Sequence, residues 1–168
     1  MKFTGTYNGK PIELELTEEQ VEILKQAEKK KTGWERAKER ESYWVCDGDT
    51  VFDNEEENLS CDDEVFDCAN YFSNKTLAQN IARAQTLKRK LWRRSAELCD
   101  KVDWRNPETD KYCIYYNYTR DSLYSSIAWA TRGLGGIYFD SEEHAEQAIE
   151  EFRDELIWYF TKFESRMD

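Results

Sequence analysis

Five cysteines (Cys46, Cys61, Cys68, Cys99 and Cys113) and one histidine, His144, are the thiol and imidazole groups with which this 168-residue chain could bind a soft metal or attack an electrophile. A closed zinc site needs four such ligands, usually delivered as two short-spaced pairs, and no Cys-x-x-Cys pair occurs. Cys46 and Cys113 stand beside Trp44, Val45, Ile114 and Tyr115, where a free thiol behaves as a small apolar filler. A cysteine nucleophile needs a base, and His144 is the only imidazole. In Ser141-Glu142-Glu143-His144-Ala145 it falls near the third position of a helix, which reads as a solvated surface histidine rather than a base. The sequence therefore predicts no catalytic residue, no metal and no cofactor.

Carboxylates are the second chemical resource. Residues 47–68 hold ten acids and no base: Asp47, Asp49, Asp53, Glu55, Glu56, Glu57, Asp62, Asp63, Glu64 and Asp67. Such a run can be a solvated loop that keeps a hairpin soluble. It can also bind a divalent cation, but although Asp47-x-Asp49 opens like an EF-hand, Val51 and Phe52 follow where a ligand and a glycine are needed. A metal-dependent nuclease or hydrolase using Asp47 and Asp49 is the enzymatic alternative. The third reading is a surface for a basic partner. Charge steers the encounter, and the interleaved Val51, Phe52, Leu59, Val65 and Phe66 provide apolar anchors. Glu142, Glu143, Glu146 and Glu150, with Glu151, Asp154 and Glu155, form a second acidic face on a C-terminal helix.

Residues 69–96 carry the opposite sign, with seven bases and no acid. Lys88-Arg89-Lys90 and Arg93-Arg94 leave Leu87, Leu91 and Trp92 for the core, so the cations read as a solvent face or as partners for the preceding acids. Direct nucleic-acid binding is not expected of so short a patch on a chain of net charge −11. Gly133-Leu134-Gly135-Gly136 precedes a Tyr-Phe strand rather than a capped helix, so it reads as a hairpin turn and not a phosphate cradle.

These groups are positioned by an internal repeat. Tyr43-Trp44-Val45-Cys46, an Asp47-Gly48 turn and Val51-Phe52 lead through an acidic loop to Asn70-Tyr71-Phe72-Ser73-Asn74, then a long helix. Tyr112-Cys113-Ile114-Tyr115-Tyr116, a turn near Arg120-Asp121 and Leu123-Tyr124 lead to Ile137-Tyr138-Phe139-Asp140-Ser141, then another helix. From Tyr43 to Phe72 is 29 residues and from Tyr112 to Phe139 is 27. In each copy a capping residue (Asn74, Ser141) follows the Phe by two positions and a close-packing Ala (Ala78, Ala145) by six. Ala78, Ile81, Ala82, Leu87, Leu91, Trp92 and Leu98 line one side of the first helix. Ala145, Ala148, Ile149, Phe152, Leu156, Tyr159, Phe160 and Phe163 line the second.

An N-terminal unit has the same order without the Tyr-Phe signature. Phe3 to Tyr7, an Asn8-Gly9 turn and Ile12 to Leu16 predict a hairpin. Thr17-Glu18-Glu19-Gln20 is a capping box opening a helix through Val21, Ile23, Leu24 and Ala27, interrupted or ended at Gly33, with a second short helix expected over Trp34–Glu41. The predicted fold is α+β: antiparallel β-hairpins packed on helices, with repeated ββα units in one domain over 1–168. Its parts are an N-terminal unit over 1–42, a first repeat over 43–100 and a second over 101–168. Ten Tyr, eight Phe and six Trp are too many large side chains for a disordered polyelectrolyte. No apolar run is long enough to span a bilayer and no signal-peptide core follows Met1, so a cytoplasmic protein with reduced thiols is expected.

Asn70-Tyr71-Phe72 with Ala78, and Ile137-Tyr138-Phe139 with Ala145, resemble small accessory proteins of bacteriophages and mobile elements. In those, a Tyr/Trp-rich hairpin leads to a Tyr-Phe-x-[Ser/Thr/Asn]-x-x-x-Ala helix start, often in tandem. The resemblance spans about 43–163, with Ala69 standing where a Gly often precedes Asn-Tyr-Phe. It implies a non-enzymatic anti-defence protein, anti-CRISPR inhibitors among them, acting in the bacterial host cytoplasm. The partner would be the basic surface of a nucleic-acid-handling enzyme such as a CRISPR effector. A structural or self-assembling phage protein, homodimeric through its aromatic surface, is the non-enzymatic alternative.

Overall fold

The structure, a computed structural model, describes residues 2–7, 10–21, 31–100, 102–106, 108–128 and 132–167. It divides into two compact units, Met1–Thr32 with Met167–Asp168, and Gly33–Arg166. The chain is α+β, built on two-stranded antiparallel sheets. No helix among the described residues is long and apolar enough to cross a membrane.

In the first unit, β1 (Lys2–Tyr7) pairs with β2 (Lys10–Glu15), from Lys2 opposite Glu15 to Tyr7 opposite Lys10. That register fits the expected two-residue turn, though Asn8 and Gly9 themselves lie outside the described residues, as do Ile23, Leu24 and Ala27. The capping box forms in both directions. Gln20 N–H donates to Thr17 Oγ1 at 3.2 Å, and Thr17 N–H donates to Gln20 Oε1 at 3.0 Å.

The second unit holds the two hairpins of the repeat. β3 (Ser42–Asp47) pairs with β4 (Thr50–Glu55) across a turn whose first residue, Gly48, has φ +67°. β5 (Tyr112–Asn117) pairs with β6 (Ser122–Ile127) across Tyr118–Asp121, where Asn117 Oδ1 accepts from the amides of Thr119 and Arg120. Each hairpin receives one phenylalanine by a reciprocal pair of backbone bonds. Trp44 and Phe72 exchange bonds of 2.8 and 3.0 Å, and Tyr112 and Phe139 exchange bonds of 2.8 and 2.9 Å. The structural equivalents are thus Trp44 and Tyr112, one residue from the pairing of Tyr43 with Tyr112 read in the sequence.

After each bridge the chain enters a helix. Asn74 Oδ1 accepts from Leu77 N–H at 3.0 Å, opening α2 (Lys75–Leu98). Ser141 Oγ accepts from His144 N–H at 3.2 Å, opening α3 (Glu142–Glu151). Phe72, Phe139, Ala78 and Ala145 are all fully buried. Around Phe72 gather Leu77, Ala78 and Ile81, with Trp34, Trp44 and Val51 against them. Around Phe139 gather Leu87, Leu91, Ala145, Ala148, Ile149, Phe152 and Leu156.

Beyond that shared junction the copies diverge. α2 is one helix of 24 residues, whereas the second breaks at Phe152 (φ −112°, ψ 22°) before α4 (Arg153–Thr161). The expected single stripe from Ala145 to Phe163 is therefore split, with Phe152 buried at the break. Trp92, assigned to the core by periodicity, is 48% exposed. The acidic stretch is not a simple loop. Its second half is a helix, α1 (Ser60–Asp67), with Asp62 and Asp63 in the first turn, where carboxylates offset the positive end of the helix dipole.

Trp34–Glu41 is not a helix. Its amides are spent on tertiary and turn contacts instead. Ala37 N–H donates to Tyr71 Oη, Lys38 N–H to Glu41 Oε2, and Arg40 N–H to the Glu56 carbonyl. Gly133 to Gly136 makes a turn, with Gly136 N–H donating to the Gly133 carbonyl at 3.2 Å. It does not close a hairpin, because the Tyr-Phe segment after it docks on β5 rather than β6. A Cβ on Gly136 would lie 2.5–2.7 Å from the end of the Tyr138 ring, whose hydroxyl accepts from Gly133 N–H.

Candidate functional site

The acidic stretch separates into buried and exposed carboxylates. Glu56 and Asp62 are 0% and 4% exposed, which corrects their placement on a partner-binding surface. Burial of a carboxylate demands compensation, and both have it. Arg36 grips Glu56 through two parallel bonds, Nε to Oε2 at 3.0 Å and Nη2 to Oε1 at 2.9 Å. Tyr71 Oη donates to Glu56 Oε2 at 2.8 Å, and Asn58 N–H to Oε1 at 3.0 Å. Asp62 accepts from Tyr43 Oη at 2.7 Å and from the amides of Leu59 and Glu57 at 3.0 and 3.1 Å. The Tyr43 and Tyr71 rings stack 3.9 Å apart, tying the two carboxylate clusters together.

The titration of these groups follows from the contacts. The Arg36 hydrogen bonds, against the opposing cost of burial, hold the Glu56 carboxyl below its usual range. The Leu59 amide, Tyr43 and the Glu57 amide do the same for Asp62. Burial first, then the hydrogen bond to Asp62, pushes the Tyr43 phenol up to about 12. Tyr71 is raised likewise, by burial and by Glu56.

This frame presents the remaining acids outward. Asp47, Asp49, Asp53, Glu55, Glu57, Asp63, Glu64 and Asp67 are exposed on the β3–β4 hairpin, the connecting segment and α1. Asp63 also accepts from Arg36 Nη1 at 2.5 Å. Phe52, Leu59 and Phe66 are exposed among them, while Val51 and Val65 are half-buried. Glu142, Glu143, Glu146 and Glu150 are exposed on α3, by the Phe139 core. Glu146 accepts from Ser125 Oγ at 2.8 Å, and Glu150 pairs with Arg153.

Several cations of α2 have near neighbours, one of them the backbone at the tip of the acidic hairpin. Arg89 donates to the Gly48 carbonyl at 3.0 Å, and Arg83 lies 4.0 Å from the Trp158 ring centroid. Arg94 Nε is 2.8 Å from Glu151 Oε2, an ion pair whose N–H is not aligned for a hydrogen bond. Arg93 and Arg94 also pair with Glu97.

One further cluster escaped the sequence. Cys99 caps the end of α2, Asp140 precedes the Ser141 cap, and His144 lies one turn beyond Asp140. His144 is half-buried and engaged, not a free surface histidine. Its Nδ1 is 2.6 Å from Asp140 Oδ1 and 3.8 Å from Cys99 Sγ. Burial works against the charge on Asp140, but the bonds from His144 and the Asp100 amide outweigh it and keep the carboxyl below its usual range. Burial raises the Cys99 thiol, and the Asp140 carboxylate adds to the shift. A nucleophilic cysteine needs the opposite, and one imidazole nitrogen facing both partners is not the relay of a Cys-His-Asp triad. Neither Asp47 nor Asp49 belongs to a comparable ligand grouping among the described residues. Cys46 and Cys113 are half-buried, and burial raises both thiols, that of Cys113 to about 11.

Compared with protein-family models, curated proteins and solved structures, the chain finds no match.

Proposed function

We propose that the chain is a non-enzymatic binding protein whose exposed acidic face occupies the basic groove of a nucleic-acid-handling enzyme. An RNA-guided effector of a bacterial defence system is the intended target, as the resemblance to phage accessory proteins suggests. The observation that carries this reading is the division of labour within residues 47–68. Two buried carboxylates brace the backbone, and eight exposed ones stand on the braced hairpin, the connecting segment and the helix. Carboxylates on a rigid support can match a phosphate-binding groove without paying again for ordering at the moment of binding. Phe52, Leu59 and Phe66 supply apolar contact within the charged field.

The test is association with purified RNA-guided nucleases over a range of salt, followed by competition with their nucleic-acid substrate. Binding that displaces nucleic acid and weakens with salt supports the proposal. Substrate turnover by the chain itself, or binding insensitive to both salt and neutralisation of the exposed acids, contradicts it. The alternative of self-assembly through the aromatic surface predicts a concentration-dependent oligomer in light scattering that buries this same face.

A further inference from the structure

The structure assigns to Cys99, Asp140 and His144 a binding site for one divalent transition metal ion, zinc by preference. One donor atom from each lies within 4.8 Å of the others; Asp140 and His144 are four residues apart, and the fold brings Cys99 to them. Zinc bonds of ordinary length at tetrahedral angles put a sulfur and a nitrogen ligand about 3.6 Å apart, and a nitrogen and an oxygen ligand about 3.3 Å apart. Cys99 Sγ and His144 Nδ1, at 3.8 Å, already stand near that separation. His144 Nδ1 and Asp140 Oδ1, at 2.6 Å, hold a hydrogen bond that opens by about 0.7 Å when an ion takes the place of the shared proton.

The surroundings suit a ligand set. The Asp100 amide donates to Asp140 Oδ2 at 2.9 Å, which fixes the carboxylate and leaves Oδ1 for the metal. Ser95 Oγ donates to the Tyr138 carbonyl at 2.6 Å, and the fully buried Phe139 and Ala145 anchor the chain on either side of Asp140. The side chains of His144 and Asp140 are 29% and 25% exposed, giving the ion entry and leaving a fourth position for water. Thiolate, imidazole and carboxylate together favour zinc or cobalt over magnesium or calcium, which take oxygen ligands. Bound metal would cross-link the end of α2 to the start of α3. None of its three ligands belongs to the acidic stretch of 47–68.

The experiment is titration of the reduced 168-residue chain with Zn²⁺ and, as a spectroscopic probe, Co²⁺. The expected result is one equivalent bound, a thiolate-to-cobalt charge-transfer band in the near ultraviolet, and a rise in melting temperature with Zn²⁺. Cys99→Ser should abolish the band and weaken binding at least about tenfold, and His144→Ala should weaken it by a similar factor. Circular dichroism of each variant checks that the fold survives. Cys61→Ser/Cys68→Ser, which removes the two exposed thiols, should leave band and affinity unchanged. Absence of binding by the parent chain overturns the assignment. So does a band that survives Cys99→Ser, or one that disappears with Cys61 and Cys68.

Discussion

Glu56 and Asp62 differ from their eight acidic neighbours only in where the chain puts them. In sequence they are two members of a uniform run, and nothing in composition or spacing marks them as internal. What marks them is tertiary: Arg36 arrives from a segment before β3, and Tyr43 and Tyr71 from the strand and bridge that flank the run. Their titration gives the molecule two pH limits. Because the folded carboxyls lie below their unfolded values, their contribution is complete above about pH 4.5 and is lost as pH falls through the depressed range. Because the buried Tyr43 phenol is raised, its contribution is complete below pH 10 and is lost as pH rises toward about 12. Urea midpoints measured across pH should fall on both sides. Glu56→Gln should flatten the acid limb and Tyr43→Phe the alkaline one. Unchanged limbs in both variants would remove the network from the stability account.

The bridging Phe and the cap two residues later were legible at the element scale, because they depend on local rules. A cap oxygen, a small Ala one turn on and a large apolar residue before them leave a pattern in any window of about ten residues. Phe72→Ala or Phe139→Ala should each cost about 3–5 kcal/mol, since each empties the centre of a buried cluster. Asn74→Ala or Ser141→Ala should cost about 1 kcal/mol, the usual value of an N-cap. Chemical denaturation of the four variants checks both the magnitudes and their similarity between copies. Three features were not legible from such local rules. Trp34–Glu41 gives its amides to Glu41, Glu56 and Tyr71 instead of to a helix. The second helix breaks at Phe152 although no Pro or Gly stands there. Trp92 faces solvent because the stripe of α2 turns inward at Leu87 and Leu91 instead.

For the molecule as a whole, charge segregation was visible in the sequence, but which charges are available was not. Cations of α2 engage Gly48, Trp158, Glu97 and Glu151, and among the described residues none forms an ion pair with an acid of 47–68. The Cys99–Asp140–His144 grouping was invisible for the same kind of reason, since the end of one helix meets the start of the next only in the folded chain. The proposed function therefore rests on exposed acids alone, and its mutagenesis must spare the buried pair. Glu56→Gln and Asp62→Asn would perturb the fold and the surface together. The direct measurement is the salt-dependent association rate of an RNA-guided nuclease with the parent chain and with Asp49→Asn/Asp53→Asn/Glu55→Gln/Glu57→Gln/Glu64→Gln/Asp67→Asn, with unchanged circular dichroism as the control. The account predicts association slowed by about tenfold or more at low salt and a shallower salt dependence in the variant. Equal rates for the two proteins, or no binding of any such nuclease by the parent chain, would contradict it.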